Sequence, residues 1–170
     1  MQIIKNFIED PVKFKQIKDL LFSANFPWFY QNTVADPKDT SGFYLTHNLY
    51  NPELILINGE FNCNATRRFN EIASPILGRL NYNHIIRVRV NCYINHGKQV
   101  KNGWHTDHPE EHKVALISFN TCNGYTEFKN GEKFLSKENE LCIFDGKNNE
   151  HRSVTQTDTN LRINININYI

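Results

Sequence analysis

Two histidines and one aspartate in the C-terminal half of this chain have the residue types of a metal site. His105 and Asp107 are separated by one residue, and His151 follows after a long gap. Two imidazoles and a carboxylate can hold a non-haem iron(II) on one face and leave the opposite positions open for oxygen chemistry. Arg162 follows His151 by eleven residues, and its guanidinium would be available to bind an acidic cosubstrate.

The segment around His105 must be extended if its two polar side chains are to meet. Residues two apart point to the same face of a strand, whereas on a helix they diverge. Gly103 and Pro109 flank the pair, and neither suits a helix interior. The pair alone is weak evidence, because seven His and seven Asp in this chain give roughly 0.3 such pairs by chance. A surface turn without a metal is therefore the alternative for this segment.

From Ile85 onward, apolar residues recur with a period of two, which is typical of strands that have one buried face. The first strand runs over residues 85–94. Asn130-Gly131 predicts a hairpin between two of the later strands. The five later strands predicted are Lys113–Asn120, Tyr125–Lys129, Lys133–Leu135, Leu141–Asp145 and Arg162–Tyr169.

The last of these strands has two faces of different character. Arg162, Asn164, Asn166 and Asn168 share one face, and three isoleucines share the other. In a plain surface strand the asparagine face would meet water. With Arg162 and His151 close by, we expect it to face a site instead. His151 opens an extended segment, so we expect His151 and Arg162 on adjacent antiparallel strands.

The N-terminal half contains two helical patterns. A capping Asp10-Pro11 and apolar residues at helical spacing predict a helix over 11–22. A second helix is predicted around residues 69–80, kinked or divided by Pro75. Strands preceded by helices indicate a mainly β fold, a sandwich or barrel with flanking helices. We expect one domain over 1–170, with 1–84 as helical or loop support and 85–170 as the β core.

Composition excludes several classes of protein. The net charge of +1 and pI near 7.7 give no sign of a nucleic-acid footprint, so nucleic acid is not expected as a partner. The four cysteines form no C-x-x-C pair, which favours reduced, buried thiols. No apolar run approaches membrane-spanning length, and residues 1–7 lack the apolar core of a secretion signal. We therefore expect a cytoplasmic protein; its oligomeric state is unknown at this point.

Four segments resemble the Fe(II)/2-oxoglutarate-dependent dioxygenases, and among them the small phage-encoded, prolyl-4-hydroxylase-like members. The segments are Asn91–Tyr93, Gly103–Asp107, Asn123–Thr126 and Arg162–Asn166. The resemblance spans about half of the chain, residues 85–170. It implies a double-stranded β-helix core of the jelly-roll or cupin-like kind. If the protein is phage-encoded, the expected location is the cytoplasm of the host.

The resemblance also implies a division of roles. His105, Asp107 and His151 would bind Fe(II) and carry the catalysis, and Arg162 would bind the C5 carboxylate of the cosubstrate 2-oxoglutarate. A guanidinium suits that role because it offers parallel donors and stays charged when desolvated. O2 would then be consumed, succinate and CO2 released, and a peptide or small-molecule substrate hydroxylated.

Strand parity adds three cosubstrate-binding candidates, Tyr93, Asn91 and Asn164, which share polar faces with the expected site. Their alternative is ordinary polarity at a sheet edge. Trp104 and Tyr125 are candidates for the substrate entrance, although aromatic residues at strand ends more often serve packing. The remaining histidines are interpreted as surface or loop residues: His47, His84, His96, His108 and His112.

One departure from the resemblance concerns the substrate. Animal-type prolyl 4-hydroxylases usually bind the C5 carboxylate with lysine, whereas this chain offers Arg162, so a prolyl substrate does not follow. Two other hypotheses stay open at this point. One is a non-catalytic, cupin-like barrel that binds a metal or another ligand. The other is a structural domain in which the three ligand-type residues do not converge.

Overall fold

The computed structural model describes residues 1–34, 42–52 and 68–170, and every element below lies in those ranges. Two antiparallel sheets and two helices make up the regular structure. The strands are β1 (Gln2–Ile4), β2 (Phe29–Gln31), β3 (Tyr44–Tyr50), β4 (Ile85–Ile94), β5 (Lys113–Ser118), β6 (Tyr125–Phe128), β7 (Lys133–Leu135), β8 (Leu141–Asp145), β9 (His151–Val154) and β10 (Leu161–Tyr169). The helices are α1 (Pro11–Leu21) and α2 (Ser74–Leu77), the latter preceded by a π-helical turn at Phe69–Ala73.

The larger sheet has the strand order β1-β8-β5-β10-β4-β3-β2, and the smaller has β7-β6-β9. The segment before His105 extends the smaller sheet, because Lys101 and His105 form isolated bridges to Val154 and His151. One apolar cluster joins the two sheets, which therefore face each other. It consists of Val114, Leu116, Phe128, Phe134, Cys142 and Phe144.

The two faces of β10 lie in different surroundings. Ile163, Ile165 and Ile167 are fully buried in the main core, which also contains the apolar side of α1. The opposite face of β10 carries the arginine and asparagines and points toward the smaller sheet. The predicted alternation is confirmed, and it separates a hydrophobic face from a polar interior.

The predicted helices are found, with local causes for their limits. Asp10 accepts hydrogen bonds from the backbone N–H groups of Val12 and Lys13, and Pro11 occupies the first turn. The second helical segment changes from π-helical to α-helical geometry at Ser74. Pro75 lacks an N–H to donate. The helix changes its geometry at the residue before Pro75, in agreement with the predicted kink or division.

Residues 1–84 contribute more than the helices and loops expected of them. They supply β1, β2 and β3, which join the same sheet as β4 and β10. Two of these strands are only three residues long. A period of two cannot be recognised in so few residues, so the strands were not predicted from the sequence. The predicted boundary at residue 84 therefore separates two parts of one sheet, and the single-domain organisation stays a prediction.

The hairpin at Asn130-Gly131 is confirmed, but the expected pairing of the strands that carry His151 and Arg162 is wrong. Gly131 has a positive φ of 90° in the turn between β6 and β7, a conformation that glycine adopts readily. By contrast, β9 pairs with β6, and β10 pairs with β4 and β5. His151 and Arg162 thus lie in opposite sheets. Their connection crosses between the sheets, which a spacing of eleven residues permits as easily as a hairpin.

The described cysteines, Cys92, Cys122 and Cys142, are free and buried, as predicted. Burial raises the pKa of the Cys92 and Cys142 thiols to about 12, so both stay protonated at neutral pH. Cys63 lies outside the described residues. No helix in the described ranges is long and apolar enough to cross a membrane.

Candidate metal centre

His105, Asp107 and His151 converge between the two sheets. One ligand atom of each lies within 4.8 Å of the others. The Nε2 atoms of His105 and His151 are 4.0 Å and 3.7 Å from the carboxylate oxygens of Asp107. Ligand atoms about 2.0–2.2 Å from one ion lie at most about 4.4 Å apart, so small adjustments would place all three around a single metal. The hypothesis of an incidental, dispersed set is wrong.

Backbone carbonyls orient both imidazoles. His105 Nδ1 lies 3.3 Å from the Gly103 oxygen, and His151 Nδ1 lies 3.0 Å from the Asn149 oxygen. A proton on Nδ1 satisfies these carbonyls and leaves the Nε2 lone pair facing Asp107, the arrangement usual for metal-binding histidines. Burial and the neighbouring His151 lower the pKa of His105. Its ring is therefore neutral near pH 7, as a metal ligand must be.

Three side chains donate hydrogen bonds to the carboxylate of Asp107. Arg87 Nη2 donates to Oδ1 at 2.9 Å. Asn166 and Asn168 donate to Oδ2 at 3.0 Å and 3.1 Å. Burial opposes ionisation, but His151, Arg87 and His105 outweigh it and hold the pKa of Asp107 well below its usual range. The carboxylate is thus ionised and held in place by these donors.

Replacing Asn166 with alanine should weaken metal binding by about 10–100-fold, the usual cost of removing a group that orients a metal ligand. Affinity can be measured by competition with a chelator, and thermal unfolding reports whether the variant is folded. Asn148→Ala is the control, because Asn148 is exposed and donates to Asp145. Equal affinities in the two variants would mean that Asn166 has no part in positioning Asp107.

A cavity of about 160 Å³ opens beside the three converging residues. At roughly 10–15 Å³ for each water position, it has room for a small organic ligand. Asn91, Tyr93 and Asn164 line it, so the structure places all three cosubstrate-binding candidates at the expected position. Asn91 Nδ2 donates to Asn164 Oδ1 at 3.0 Å, which joins β4 and β10 at the cavity wall.

Arg162 lies directly behind this wall. Its side chain is 0% exposed, and two of the residues that contact it, Tyr93 and Thr126, line the cavity. Its Nη2 donates to Thr126 Oγ1 at 3.2 Å, and its Nη1 donates to the Val154 oxygen at 3.4 Å. Its Nε has no acceptor, and among the described residues no carboxylate pairs with it.

A buried cation with only neutral acceptors is costly, because an isolated ion loses several kcal/mol of hydration. Burial lowers the pKa of Arg162 while the phenol of Tyr93 opposes this, yet a guanidinium stays charged in proteins. The Tyr93 ring lies 5.1 Å from the Arg162 guanidinium carbon, which offers partial compensation. The site is therefore one that an anion would complete.

Gly124 is required by Arg162 rather than by a turn. A Cβ on residue 124 would lie 2.8 Å from Arg162 Cδ and 3.1 Å from the Val154 oxygen. The first distance is too short for two carbon atoms in a packed interior, and the second is tight. The sequence pattern Asn123-Gly124 is typical of a turn, but here the missing side chain makes room for the arginine.

Several cavity residues were not identified from the sequence as site residues. They are Tyr44, Arg87, Arg89, Thr126 and Ser153. The two arginines share the polar face of β4 with Asn91 and Tyr93, so strand parity could have found them. Tyr44 belongs to a strand that was not predicted.

Other expectations about individual residues have mixed outcomes. Trp104 and Tyr125 are not among the residues that line the cavity, and the Arg152 guanidinium lies 4.2 Å from the Trp104 ring; a place at the substrate entrance stays a prediction for both. His47 and His112 are buried, at 4% and 5% exposure. Each directs Nδ1 to a backbone oxygen. The expectation is wrong for His47, which lies in β3; His112 lies in the loop before β5, as expected, but is not at the surface.

No protein-family model and no curated protein sequence matches this chain. Solved structures do. A prolyl hydroxylase from Trichoplax adhaerens, in complex with a peptide fragment of the hypoxia-inducible factor oxygen degradation domain, is similar with a TM-score of 0.61 and 17% identity, covering 99% of this chain and 82% of that one. An oxidoreductase of the 2OG-Fe(II) oxygenase family from Burkholderia pseudomallei has a TM-score of 0.55 and 14% identity, with 95% and 78% covered.

The non-haem α-ketoglutarate-dependent epimerase SnoN from nogalamycin biosynthesis gives a TM-score of 0.59 at 12% identity, with 99% of this chain and 76% of that one covered. Likeness at such low identity concerns the fold. Together with the two facing antiparallel sheets, it shows that this chain has a double-stranded β-helix core with flanking helices. The predicted fold class is confirmed.

Proposed function

We propose that this protein is an Fe(II)- and 2-oxoglutarate-dependent oxygenase that hydroxylates a peptide or small molecule. One observation carries the proposal. Two histidines and an aspartate converge at the wall of a cavity, and a fully buried arginine without a carboxylate partner lies behind that same wall. The solved structures of similar fold support the same reaction class.

The donor set fits Fe(II). Two imidazole nitrogens and one carboxylate would hold Fe(II) on one face and leave other positions for further ligands. The side chains of His105 and Asp107 are 24% and 5% exposed, so the ligands are reachable from the cavity yet shielded from bulk solvent. The hydrogen bonds from Arg87, Asn166 and Asn168 hold the Asp107 carboxylate in place.

The surroundings of Arg162 fit the C5 carboxylate of 2-oxoglutarate. The guanidinium has an unsatisfied Nε and long bonds to neutral oxygens, and a dicarboxylate would supply the missing anion. The carboxylate would lie beside Tyr93 and Thr126, the lining residues that contact Arg162. Asn91 and Asn164 offer further polar groups along the same wall.

Fe(II) and 2-oxoglutarate together would supply the oxidation of a C–H bond by O2, with succinate and CO2 as products. The chain's own residues do the rest. His105, Asp107 and His151 hold the metal, Arg162 fixes one end of the cosubstrate, and the two sheets keep bulk water from the reacting atoms. The polar side chains that line the cavity would orient the ligands.

Substrate class, subtype and location are part of the proposal. A similar protein was solved with a peptide, which keeps a peptide substrate open alongside a small molecule. The small phage-encoded, prolyl-4-hydroxylase-like subtype and the cytoplasmic location stay predictions from the sequence.

The test is release of succinate from 2-oxoglutarate by the Fe(II)-loaded protein, assayed with and without O2 and with a panel of peptides and amino acids. We expect O2-dependent succinate, slow without a substrate and faster with the correct one. If the protein binds metal and 2-oxoglutarate but yields no succinate under any condition, the non-catalytic cupin-like barrel is the better account.

A further inference from the structure

Two arginines on β4, Arg87 and Arg89, line the cavity together with Asp107. Arg87 forms an ion pair with Asp107, since its Nη2 donates to the carboxylate at 2.9 Å. Arg89 has no such partner among the described carboxylates. Its Nη1 donates to the phenol oxygen of Tyr44 at 3.0 Å, its Nε has no acceptor, and no described carboxylate forms an ion pair with it.

The charges of the described side chains around the cavity do not balance. Among these residues, the lining arginines Arg87 and Arg89 and the buried Arg162 behind the wall outnumber one carboxylate (Asp107), which leaves 3 − 1 = 2 positive charges. Fe(II) brings two positive charges, and 2-oxoglutarate brings two negative ones. The proposed cofactor and cosubstrate therefore leave the excess unchanged, and a cavity with low-dielectric walls strengthens its attraction for an anion.

Each of the other two arginines has a role, which leaves Arg89 for a third ligand. Building on the proposed function, we propose that the prime substrate is a small carboxylic acid whose carboxylate binds Arg89. A guanidinium binds a carboxylate through two parallel hydrogen bonds. Arg89 is suited to this because Tyr44 holds one of its nitrogens, and the Tyr44 ring is itself stacked on Tyr93 at 5.6 Å.

The spacing along β4 favours a small substrate over a long one. Arg87 contacts the metal-binding carboxylate, and Arg89 lies two residues further along the same face, about 7 Å at 3.3–3.4 Å per residue. A carboxylate bound there would place carbon atoms a few bonds away near the metal. The cavity of about 160 Å³ must also hold 2-oxoglutarate, which favours a substrate of the size of an amino acid or short-chain acid.

The test measures binding and turnover separately. Protein loaded with Mn(II) and saturated with 2-oxoglutarate under nitrogen is titrated calorimetrically with free amino acids and short-chain acids, each paired with its amide. Blocked tripeptides with a central Asp or Glu, and phosphate monoesters, form two further arms. The variants are Arg89→Gln and Arg89→Lys, with Arg79→Gln as the matched control because Arg79 is exposed and pairs with Glu9 at the surface.

We expect at least one acid to bind about 10-fold or more tightly than its amide, the usual advantage of a charge-assisted pair. Arg89→Gln should remove the preference, Arg89→Lys should keep part of it, and Arg79→Gln should leave it unchanged. The same acid should accelerate succinate release by the Fe(II) enzyme.

Three results would overturn the inference: no acid preferred over its amide, a preference that survives Arg89→Gln, or binding confined to acidic tripeptides or phosphate monoesters. Binding of 2-oxoglutarate and uncoupled succinate release are measured on the same unmodified protein. If both are absent, the proposed function fails. Their presence without an acid preference would indicate failure of this inference alone.

Discussion

Replacing His151 with alanine should abolish 2-oxoglutarate turnover and reduce metal affinity by at least about 100-fold, because even loss of a group that only orients a ligand costs roughly 10–100-fold. His151 is 5% exposed, and its Nε2 faces Asp107 at 3.7 Å. Without this imidazole, two ligands remain on the proposed metal face. Metal affinity is measured by chelator competition and turnover by succinate release.

Two further variants separate ligand loss from damage to the fold. The ring of His151 packs against Phe144 at 5.0 Å, so alanine also leaves a void and the thermal midpoint must be recorded. His105→Gln removes a ligand that is partly exposed, and it should lose activity with little loss of stability. His84→Ala is the control, since His84 is exposed and does not line the cavity. Full activity in either ligand variant would rule out the proposed metal centre.

Replacing Arg162 with methionine should have two opposite effects. Affinity for 2-oxoglutarate should fall by about 30-fold or more, because truncating one partner of a desolvated charge pair typically costs about 2–5 kcal/mol. Stability without 2-oxoglutarate should stay equal or increase, because a buried cation that lacks a carboxylate partner is replaced by an apolar side chain of similar length. Calorimetry with Mn(II)-loaded protein gives the affinity, and thermal unfolding gives the stability.

Arg152→Met is the matched control for a paired arginine. Arg152 donates to Glu127 at 2.7 Å and stacks on Trp104. Its replacement should lower stability and leave 2-oxoglutarate affinity unchanged, the reverse of the pattern expected for Arg162. If Arg162→Met keeps the affinity of the unmodified protein, the buried arginine does not bind the cosubstrate.

Local patterns predicted the polar and apolar faces well. The period of two in β4 and β10 correctly placed Asn91, Tyr93 and Asn164 toward the site and the isoleucines toward the core. This works because successive residues of any strand point to opposite faces, whichever strand lies beside it. The extended segment at His105 was predicted for the same reason.

The arrangement of strands between the sheets could not be read in this way. His151 and Arg162 were expected on neighbouring strands and lie in opposite sheets, because pairing partners depend on contacts distant in sequence. Arg87 and Arg89 were visible on the polar face of β4, but their role depends on Asp107 and Tyr44, which reach them from elsewhere in the fold. The packing of Gly124 on Arg162 likewise has no local signal.

A crystal structure of the protein grown without oxygen, with Fe(II) and 2-oxoglutarate, tests the central claim most directly through the anomalous signal of iron. We expect one iron peak about 2.0–2.2 Å from His105 Nε2, His151 Nε2 and an Asp107 oxygen, with a carboxylate of 2-oxoglutarate against Arg162. An iron peak elsewhere, or none at these three residues, would contradict the account.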